Sequence, residues 1–597
     1  GEVALSSSGN IDVNVSGATT FNSLSENGSL SLTSDASSIT LGNDVGGDGT
    51  LTLTGLNVSN ASSLDTGDDD ITVSGDVDLS VTGALTVAGA LSSSGAVTLS
   101  GGNVSLATVT SDSDASGGDG DVVIEAGTGL ALNGNVTTNN NDITIRGNSD
   151  SVTLDFGTAG SGNVSVDQTE LDRLQAGTGT LTFGSATGGA VSLDGVDLNT
   201  TTTQAGVSIL TAGALTTDNA LNIGGDDLTI TADSIAETGS TVITANNVAL
   251  TVTNAADLGG NNVISGSLSG SAGDLTANNS QALDFGAITA ASLSSTVAGA
   301  VTDSGSLSIS GTTNIDTSGS NGAITLDDDG NSLMGAVTVA AGTGNVTLDN
   351  NTTDLGLVVT SGNDVTVENA GMVDLQGTIG NDLVVTSSTG VTDSGSVSVA
   401  GTTNLTTTGD GSVVLDDDGN AFTGAVTVSL GNGNLTIDNN TTALGLVSTG
   451  AGTVTVEDAG ALTVEGSMAN LVVTDADSVD DSATLTITGT TDIDTSAGNG
   501  AITLDDAANA LTGTVTVSSG SGNVTLDNNT TALDLVSTST GTVTVVDAGA
   551  VTVSGSMGSF VVTDADSVDD SGTVTVTGAT TIDTSAGNGA ITLDDDA

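Results

Sequence analysis

The chain has 597 residues and a formal net charge of −70 at pH 7, because 72 acidic residues stand against two arginines. It contains no Lys, His, Cys, Tyr, Trp or Pro, which excludes disulfides, thiol chemistry and the usual nucleophile–base pairs of enzymes. So acidic a surface repels phosphate, so nucleic acid and anionic membrane are poor partners, we expect no nucleic acid to bind, and metal cations are the natural counter-ions. We therefore expect a protein that is not an enzyme.

Residues 1–300 contain many short runs in which an apolar residue alternates with Thr, Ser or Asp. Alternation at period two predicts β-strands with one buried face, and the intervening Gly, Asn, Asp and Ser predict tight turns. Only Asp167–Gln175 predicts a helix, of one or two turns. The clearest strand-like runs are Leu51-Thr-Leu-Thr54, Ile71-Thr-Val-Ser74, Ala96-Val-Thr-Leu-Ser100 and Val152-Thr-Leu-Asp-Phe156.

Residues 301–597 repeat one sequence at a strict interval of 89 residues. Ile324-Thr-Leu-Asp-Asp-Asp-Gly330 returns from Val413, from Ile502 and from Ile591. A fixed period of this kind is typical of repeat architectures. Within the unit, Gly322-Ala-Ile-Thr-Leu-Asp and Gly344-Asn-Val-Thr-Leu-Asp match 22 residues apart. The unit is therefore predicted to contain about four smaller turns of one design.

The short inner period favours an all-β fold, a parallel right-handed β-helix (β-solenoid) with turns of about 20–22 residues and an 89-residue super-repeat. A string of β-sandwich domains of the same period is the alternative, but sandwich cores usually hold a Trp or a Tyr corner, which this chain lacks. We expect diverged turns in residues 1–300 and a regular array in residues 301–597. We also expect the array to stop in mid-repeat.

Two recurring Asp clusters are the candidate metal sites. Carboxylates at turns are the hard oxygen ligands that Ca²⁺ prefers, and stacked repeats would align them in rows. The alternative, that these are ordinary turn residues, stays open. The first cluster comprises Asp327, Asp328, Asp329, Asp416, Asp417, Asp418, Asp505, Asp506, Asp594, Asp595 and Asp596. The second comprises Asp475, Asp477, Asp480, Asp481, Asp564, Asp566, Asp569 and Asp570.

Runs such as Gly452-Thr-Val-Thr-Val456 and Gly433-Asn-Leu-Thr-Ile-Asp-Asn-Asn440 stand in a Cys-free chain rich in Gly, Asn, Thr and Val. In these features the chain resembles the central β-helical region of filamentous-haemagglutinin-like adhesins and autotransporter passengers. The resemblance implies an extracellular location at a bacterial cell surface. It covers essentially the whole length of the chain.

Together these observations predict a structural or adhesive stalk or fibre subunit of a surface adhesin, sheath or matrix, stabilised by Ca²⁺. We expect it to self-associate or to contact a cell surface or glycan. One alternative is a set of calcium-rigidified β-sandwich adhesin domains. Another is a tailspike-like β-helix that cleaves carbohydrate with two carboxylates, although catalytic carboxylates should be unique and these recur. No run of 18 apolar residues occurs, so we expect no transmembrane segment.

Overall fold

A computed structural model of the protein describes residues 2–7, 11–26, 29–34, 38–41, 50–53, 55–66, 70–113, 120–158, 162–199, 204–450 and 452–594. Strands account for 61% of the chain and helix for 1%. The strands pair in parallel and stack as a β-solenoid of about 27 turns, which confirms the predicted fold class. The chain divides into two compact units, Gly1–Ala298 and Gly299–Ala597, called unit 1 and unit 2.

Among the described residues, unit 1 contains one short helix and a separate six-stranded sheet. Six of its strands, β6, β9, β12, β14, β16 and β20, form a separate parallel sheet beside the main one. The elements of unit 1 are β1 Glu2–Ser7, β2 Ile11–Val15, β3 Thr19–Glu26, β4 Ser29–Ser34, β5 Ser38–Leu41, β6 Thr50–Leu53, β7 Gly55–Ala61, β8 Ser63–Asp65, β9 Asp70–Val73, β10 Val77–Val81, β11 Ala84–Val87, β12 Leu91–Ser93, β13 Val97–Leu106, β14 Val109–Thr110, β15 Val122–Leu132, β16 Val136–Thr137, β17 Ile143–Gly147, β18 Leu154–Gly157, β19 Val164–Asp167, α1 Gln168–Leu171, β20 Leu174–Gln175, β21 Thr180–Gly184, β22 Val191–Asp197, β23 Gly206–Leu210, β24 Ala214–Asn222, β25 Asp227–Ala232, β26 Ser234–Ala245, β27 Val248–Val252, β28 Ala256–Ile264, β29 Ser267–Ser271, β30 Asp274–Asn279, β31 Leu283–Ala290 and β32 Ser292–Thr296.

Unit 2 contains strands alone among its described elements. They are β33 Val301–Asp303, β34 Leu307–Ile309, β35 Thr313–Asp316, β36 Ile324–Leu326, β37 Ser332–Leu333, β38 Ala336–Ala340, β39 Val346–Asp349, β40 Leu355–Ser361, β41 Val365–Ile379, β42 Leu383–Val399, β43 Thr403–Thr407, β44 Ser412–Leu415, β45 Ala421–Phe422, β46 Ala425–Ser429, β47 Leu435–Ile437, β48 Leu444–Thr449, β49 Thr453–Val456, β50 Ala461–Met468, β51 Asn470–Val473, β52 Ser478–Ile487, β53 Thr491–Asp494, β54 Ile502–Leu504, β55 Ala510–Leu511, β56 Thr514–Ser518, β57 Val524–Leu526, β58 Leu533–Thr538, β59 Thr542–Val545, β60 Ala550–Met557, β61 Ser559–Val562, β62 Ser567–Val576, β63 Thr580–Ile582 and β64 Ile591–Thr592.

The helix of unit 1 lies within the segment where a helix was predicted, and this prediction is confirmed. Asp167 caps the first turn of α1, because its carboxylate accepts the backbone N–H of Glu170 at 2.9 Å. The Glu170 side chain in turn accepts the backbone N–H of Asp167 at 2.9 Å. This reciprocal pair is a capping box, which satisfies two N–H groups at the start of a helix.

Each turn of unit 2 places one strand in each of two parallel sheets, and in some turns a short additional strand pairs between them at one corner. In the front sheet, the paired residues of successive strands are first Val301, Ile324, Val346, Val365, Leu383, Thr403, Val426, Leu446 and Val464. Leu462, in the same strand as Val464, continues the pairing to Val479, Ile502, Val524, Val543, Phe560 and Thr580. In the back sheet, the paired residues are first Thr313, Val337, Leu357 and Leu375. Val373, in the same strand as Leu375, continues the pairing to Val391, Val413, Leu435, Val454, Leu471, Thr491, Val515 and Leu535. Leu533, in the same strand as Leu535, continues it to Val551, Val568 and Ile591. Strands β41 and β42 bend and contribute to both sheets.

One 89-residue repeat contains nine of these sheet strands, which is an odd number. Ile324 therefore lies in the front sheet and its equivalent Val413 in the back sheet, and the same exchange separates Ile502 from Ile591. The repeat is thus four and a half turns of about 20 residues, whereas the sequence predicts about four. Equivalent residues of consecutive repeats lie on opposite sheets, and those two repeats apart lie on the same sheet.

Most buried side chains of unit 2 are apolar, and one buried threonine recurs at about the repeat interval. Inward residues such as Val337 and Leu348 are fully buried. Thr313, Thr403 and Thr491 occupy the same inward position and are each 1% exposed, yet their hydroxyl groups have no hydrogen-bond partner. A buried hydroxyl without a partner costs about 1–3 kcal/mol. These threonines therefore destabilise the interior.

Replacing Thr403 by Val should raise the free energy of unfolding by about 1 kcal/mol, because Val fills a similar space without a hydroxyl to desolvate. The measurement is urea unfolding followed by circular dichroism. Thr427→Val is the matched control, since Thr427 points outward from the adjacent front strand and is half-exposed. A Thr403→Val variant less stable than the parent protein would contradict this interpretation of the interior.

Candidate functional site

The first Asp cluster lies where strands end, at two different corners of the coil. We call the connection from a front strand to the next back strand the first corner, and the return connection the second corner. Asp327, Asp328 and Asp329 follow β36 at the first corner, as do Asp505 and Asp506 after β54. The three aspartates after β44 and Asp594 after β64 lie at the second corner. Asp595 and Asp596 lie outside the described residues.

At each such corner, a carboxylate from the preceding turn binds the backbone of the cluster. The Asp303 carboxylate accepts the N–H groups of Asp327 and Asp328 at 2.9 and 3.4 Å, and the side-chain amide of Asn331 at 2.6 Å. We call this arrangement the carboxylate clasp. It recurs with Asp393 holding Asp416, Asp417 and Asn420, and with Asp481 holding Asp505, Asp506 and Asn509.

The asparagine of each clasp also bonds to the backbone of the preceding turn. Asn331 is fully buried, and its side-chain oxygen accepts the backbone N–H of Leu307 in the preceding turn at 2.7 Å. Asn420 and Asn509 make the same bond to Val397 and Leu485. Buried polar groups must be paired to be tolerated, and here each partner belongs to another turn. The clasp therefore cross-links successive turns.

The second Asp cluster is divided between the corners: Asp475 and Asp477 stack on the first cluster at the second corner, whereas Asp480 and Asp481 follow a front strand at the first corner. Burial raises the pKa of Asp438, and repulsion from Asp418, Asp393 and Asp416 adds to the shift. Burial also raises the pKa of Asp458, followed by repulsion from Asp438, Asp475 and Asp477.

These mutual effects place the carboxylates of both clusters in one row along the second corner. The members of the row are Asp393, Asp416, Asp418, Asp438, Glu457, Asp458, Asp475 and Asp477.

The next repeat forms an equivalent row on the first corner. Burial raises the pKa of Asp547, and repulsion from Asp527, Asp564 and Asp566 contributes further. Because the repeat is four and a half turns long, the rows alternate between the two corners. Each repeat thus carries a row of like charges on the side opposite to that of its neighbour.

The predicted ligands have unequal surroundings. Asp481 is 9% exposed, and both of its oxygens accept N–H groups of the clasp. Asp480 and Asp569 are exposed, and the carboxylate of Asp570 accepts the N–H of Asp594. Across the described part of the chain, no three acidic side chains are arranged so that they could hold a metal ion. Calcium binding therefore stays a prediction.

Sequence reasoning missed the residues that hold the clusters, although a signal exists. Asp303, Asp393, Asp481 and Asp570 all end a Val-x-Asp triplet and recur at nearly the repeat interval. Only Asp481 and Asp570 were singled out, because they stand beside a second Asp. The buried asparagines were missed because an isolated Asn between turns is common in this chain.

Known proteins offer one partial match. Residues 272–340, 362–429, 451–518 and 554–597 match a family model described as repeats of unknown function (DUF5649). Comparisons with curated proteins and with solved structures find no match. The chain is therefore similar to a repeat family, in agreement with its repeated β-solenoid structure. No helix among the described residues is both long enough and apolar enough to cross a membrane.

Replacing Asp393 by Ala should lower the free energy of unfolding by about 3 kcal/mol, because two backbone N–H groups and the buried Asn420 amide lose their acceptor. Urea unfolding of the full chain measures the change. Asp418→Ala is the matched control, since it removes an exposed charge from the same row and should cost nothing. Equal losses in the two variants would show that the clasp does not stabilise the fold.

Unit 2 should be more stable at mildly acidic than at alkaline pH. The pKa values of Asp349, Asp438, Glu457, Asp458 and Asp547 are raised, first by burial and then by repulsion. A raised pKa gives stability that is complete below the unfolded value of about 4 and is lost as pH rises through the folded value.

Thermal unfolding followed by circular dichroism should therefore give a higher Tm at pH 4.5 than at pH 8 in low salt. One molar NaCl should narrow the difference, because it screens the repulsion. A Tm that is highest at pH 8 in low salt would contradict the role assigned to the acidic rows.

Proposed function

We propose that the chain is a rigid, acidic stalk or fibre subunit of an extracellular bacterial adhesin, sheath or matrix, stabilised by Ca²⁺. The observation that carries the proposal is the construction of unit 2, in which nine strands and one acidic row recur without a break in the pairing. What recurs in every repeat serves the whole length of the molecule rather than one reaction centre.

Parallel stacking supports a mechanical role. Neighbouring strands in a sheet lie about 4.8 Å apart, so the fifteen front-sheet strands of unit 2 extend over roughly 70 Å. Every added turn contributes a similar length, a similar number of backbone hydrogen bonds and a similar set of buried apolar side chains. The carboxylate clasps add side-chain bonds between turns. Such a unit resists bending because every turn is bonded to the next along both sheets.

The alternating rows support cation-dependent association. A surface charge of this size keeps copies of the chain apart in the absence of counter-ions. Divalent cations bound along the rows would remove the repulsion and join neighbouring copies at both corners. Because the rows lie on opposite corners, each subunit could contact neighbours on two sides. This arrangement suits a layered sheath or matrix.

The other two functions considered fare differently. Tandem β-sandwich domains are excluded for the described residues, because their strands pair in parallel from turn to turn. No observation favours a carbohydrate-cleaving β-helix, and its two unique carboxylates have no counterpart in rows that repeat. The absence of catalysis stays a prediction.

Millimolar CaCl₂ should raise the Tm of the full chain by several degrees relative to EDTA, because an ion that binds the folded state stabilises it. Circular dichroism measures the Tm, and analytical ultracentrifugation measures association. NaCl at matched ionic strength controls for screening. In the double variant Asp416→Asn and Asp418→Asn the calcium effect should shrink.

The matched control for this experiment is the double variant Asp12→Asn and Asp492→Asn. It removes two exposed carboxylates outside the rows and should keep the full calcium effect. A Tm that does not respond to calcium would exclude the metal role and leave the acidic corners as solvated surface. If calcium stabilises the chain but does not cause association, only the proposed contacts between neighbouring copies are excluded.

A further inference from the structure

We propose that Glu237 and Asn262 of unit 1 form a proton-operated clasp, which holds two successive turns together when the Glu237 carboxyl is protonated and loosens them when it is ionised. The proposal concerns a part of the chain outside the acidic rows. It does not depend on the function proposed above.

Glu237 lies in an interruption of the solenoid pairing. Strand β26 pairs with β28 up to Ala236, and the pairing resumes only at Thr244. In the gap, one oxygen of the Glu237 carboxyl (Oε2) accepts the backbone N–H of Gly260 and the side-chain amide of Asn262. Side-chain bonds therefore replace the missing ladder bonds between these two turns.

Asn262 connects this carboxyl to the interior. The residue is fully buried, and its side-chain oxygen accepts the N–H of Ile243 at 2.7 Å. Its amide also donates to the carbonyl oxygen of Leu258 at 3.1 Å. The arrangement matches the clasps of unit 2, in which a carboxylate of one turn holds a buried Asn of the next. Loss of the Glu237 contact would leave part of the Asn262 amide without a partner.

The two kinds of clasp differ in how the carboxylate is satisfied. In unit 2, Asp481 accepts three N–H groups that are shared between both oxygens. Glu237 accepts two, both on Oε2, while its buried Oε1 has no partner. A buried carboxylate oxygen without a donor penalises the charged form. The buried, unpaired Oε1 of Glu237 thus penalises the charged form, which opposes the two N–H groups on Oε2 that favour it.

The surroundings of Glu237 add no positive charge. Strand β28 presents Asp257, and β24 carries Asp218 next to Thr217, the residue paired with Glu237. Strand β25 begins with Asp227, whose carboxylate accepts bonds from Asn246 and Asn247, and β27 holds no titratable residue.

Neither arginine of the chain neutralises the charge of Glu237, since Arg146 pairs with Glu125 and Arg173 donates to the carbonyl oxygen of Leu132. Burial, with a smaller contribution from Asp257, raises the pKa of Glu237 to about 7.

The direction of the effect follows from linkage. The pKa of a Glu carboxyl in the unfolded chain is about 4.5, which lies below the folded value of Glu237. The clasp is therefore fully closed below about pH 4.5 and weakens as pH rises toward 7. Local opening should increase up to tenfold per pH unit in that window and level off above it.

Hydrogen–deuterium exchange of the full chain between pH 5 and 8.5 tests the proposal. After correction for intrinsic exchange rates, peptides covering residues 241–264 should open about fortyfold more at pH 7 than at pH 5. In the Glu237→Gln variant their opening should not depend on pH. Glu368→Gln, which removes an exposed carboxyl, is the matched control and should behave as the parent protein.

Equal pH dependence in the parent chain and in Glu237→Gln would overturn the proposal, and so would constant opening in the parent chain. If Glu237→Gln does not fold, selective ¹³C labelling of the eight glutamate carboxyls in the parent chain replaces it. One carboxyl resonance must then titrate near pH 7, and it must persist in Glu457→Gln. Titration of all eight below pH 6 would exclude the clasp.

Discussion

The structure depends on a constraint of registry, in which each residue lies directly beside its equivalent in the turn before. Parallel ladders such as Ile324 beside Val346 and Val346 beside Val365 bring like residues together all along unit 2. Stacked apolar residues build the interior at no electrostatic cost. Stacked asparagines can bond to each other's backbone. Stacked aspartates repel each other, so the same registry that stabilises the interior causes electrostatic repulsion at the corners.

The carboxylate clasp shows how the fold limits that stress. A turn after a strand leaves backbone N–H groups that need acceptors, and an aspartate of the preceding turn supplies them. Three N–H donors thereby stabilise the charge of the Asp303 carboxylate. Burial still raises the pKa of Asp303, so the donors reduce the cost of the buried charge without removing it. Burial also raises the pKa of Glu237, and one of its oxygens has no donor at all.

The sequence predicts the repeat, the fold class and the carboxylate rows, but not the alternation of the rows between corners. The interval between Ile324 and Val413 is a number of residues, and it does not show how many strands those residues form. Strands β41 and β42 run through a bend and contribute to both sheets, so the strand count emerges only from the pairing. The recurring Val-x-Asp triplets mark the clasp carboxylates in the sequence, but the pairing of Asp303 with Asn331 depends on how the turns stack.

An odd number of strands per repeat has a consequence for charge. With an even number, every acidic row would fall on the same corner, and the rows of successive repeats would form one continuous line of repelling carboxylates. With nine strands, the row that ends at Glu368 gives way on the first corner to Thr and Ser positions, while the next row begins on the second corner. Rows on one corner are thus separated by several turns that carry few carboxylates, Asp410 and Glu465 on the first corner, and this separation exceeds the distance of about 10 Å over which salt screens charges. The half turn therefore lowers the repulsion that a repeat protein of this acidity would otherwise accumulate, and it gives the molecule two equivalent charged sides.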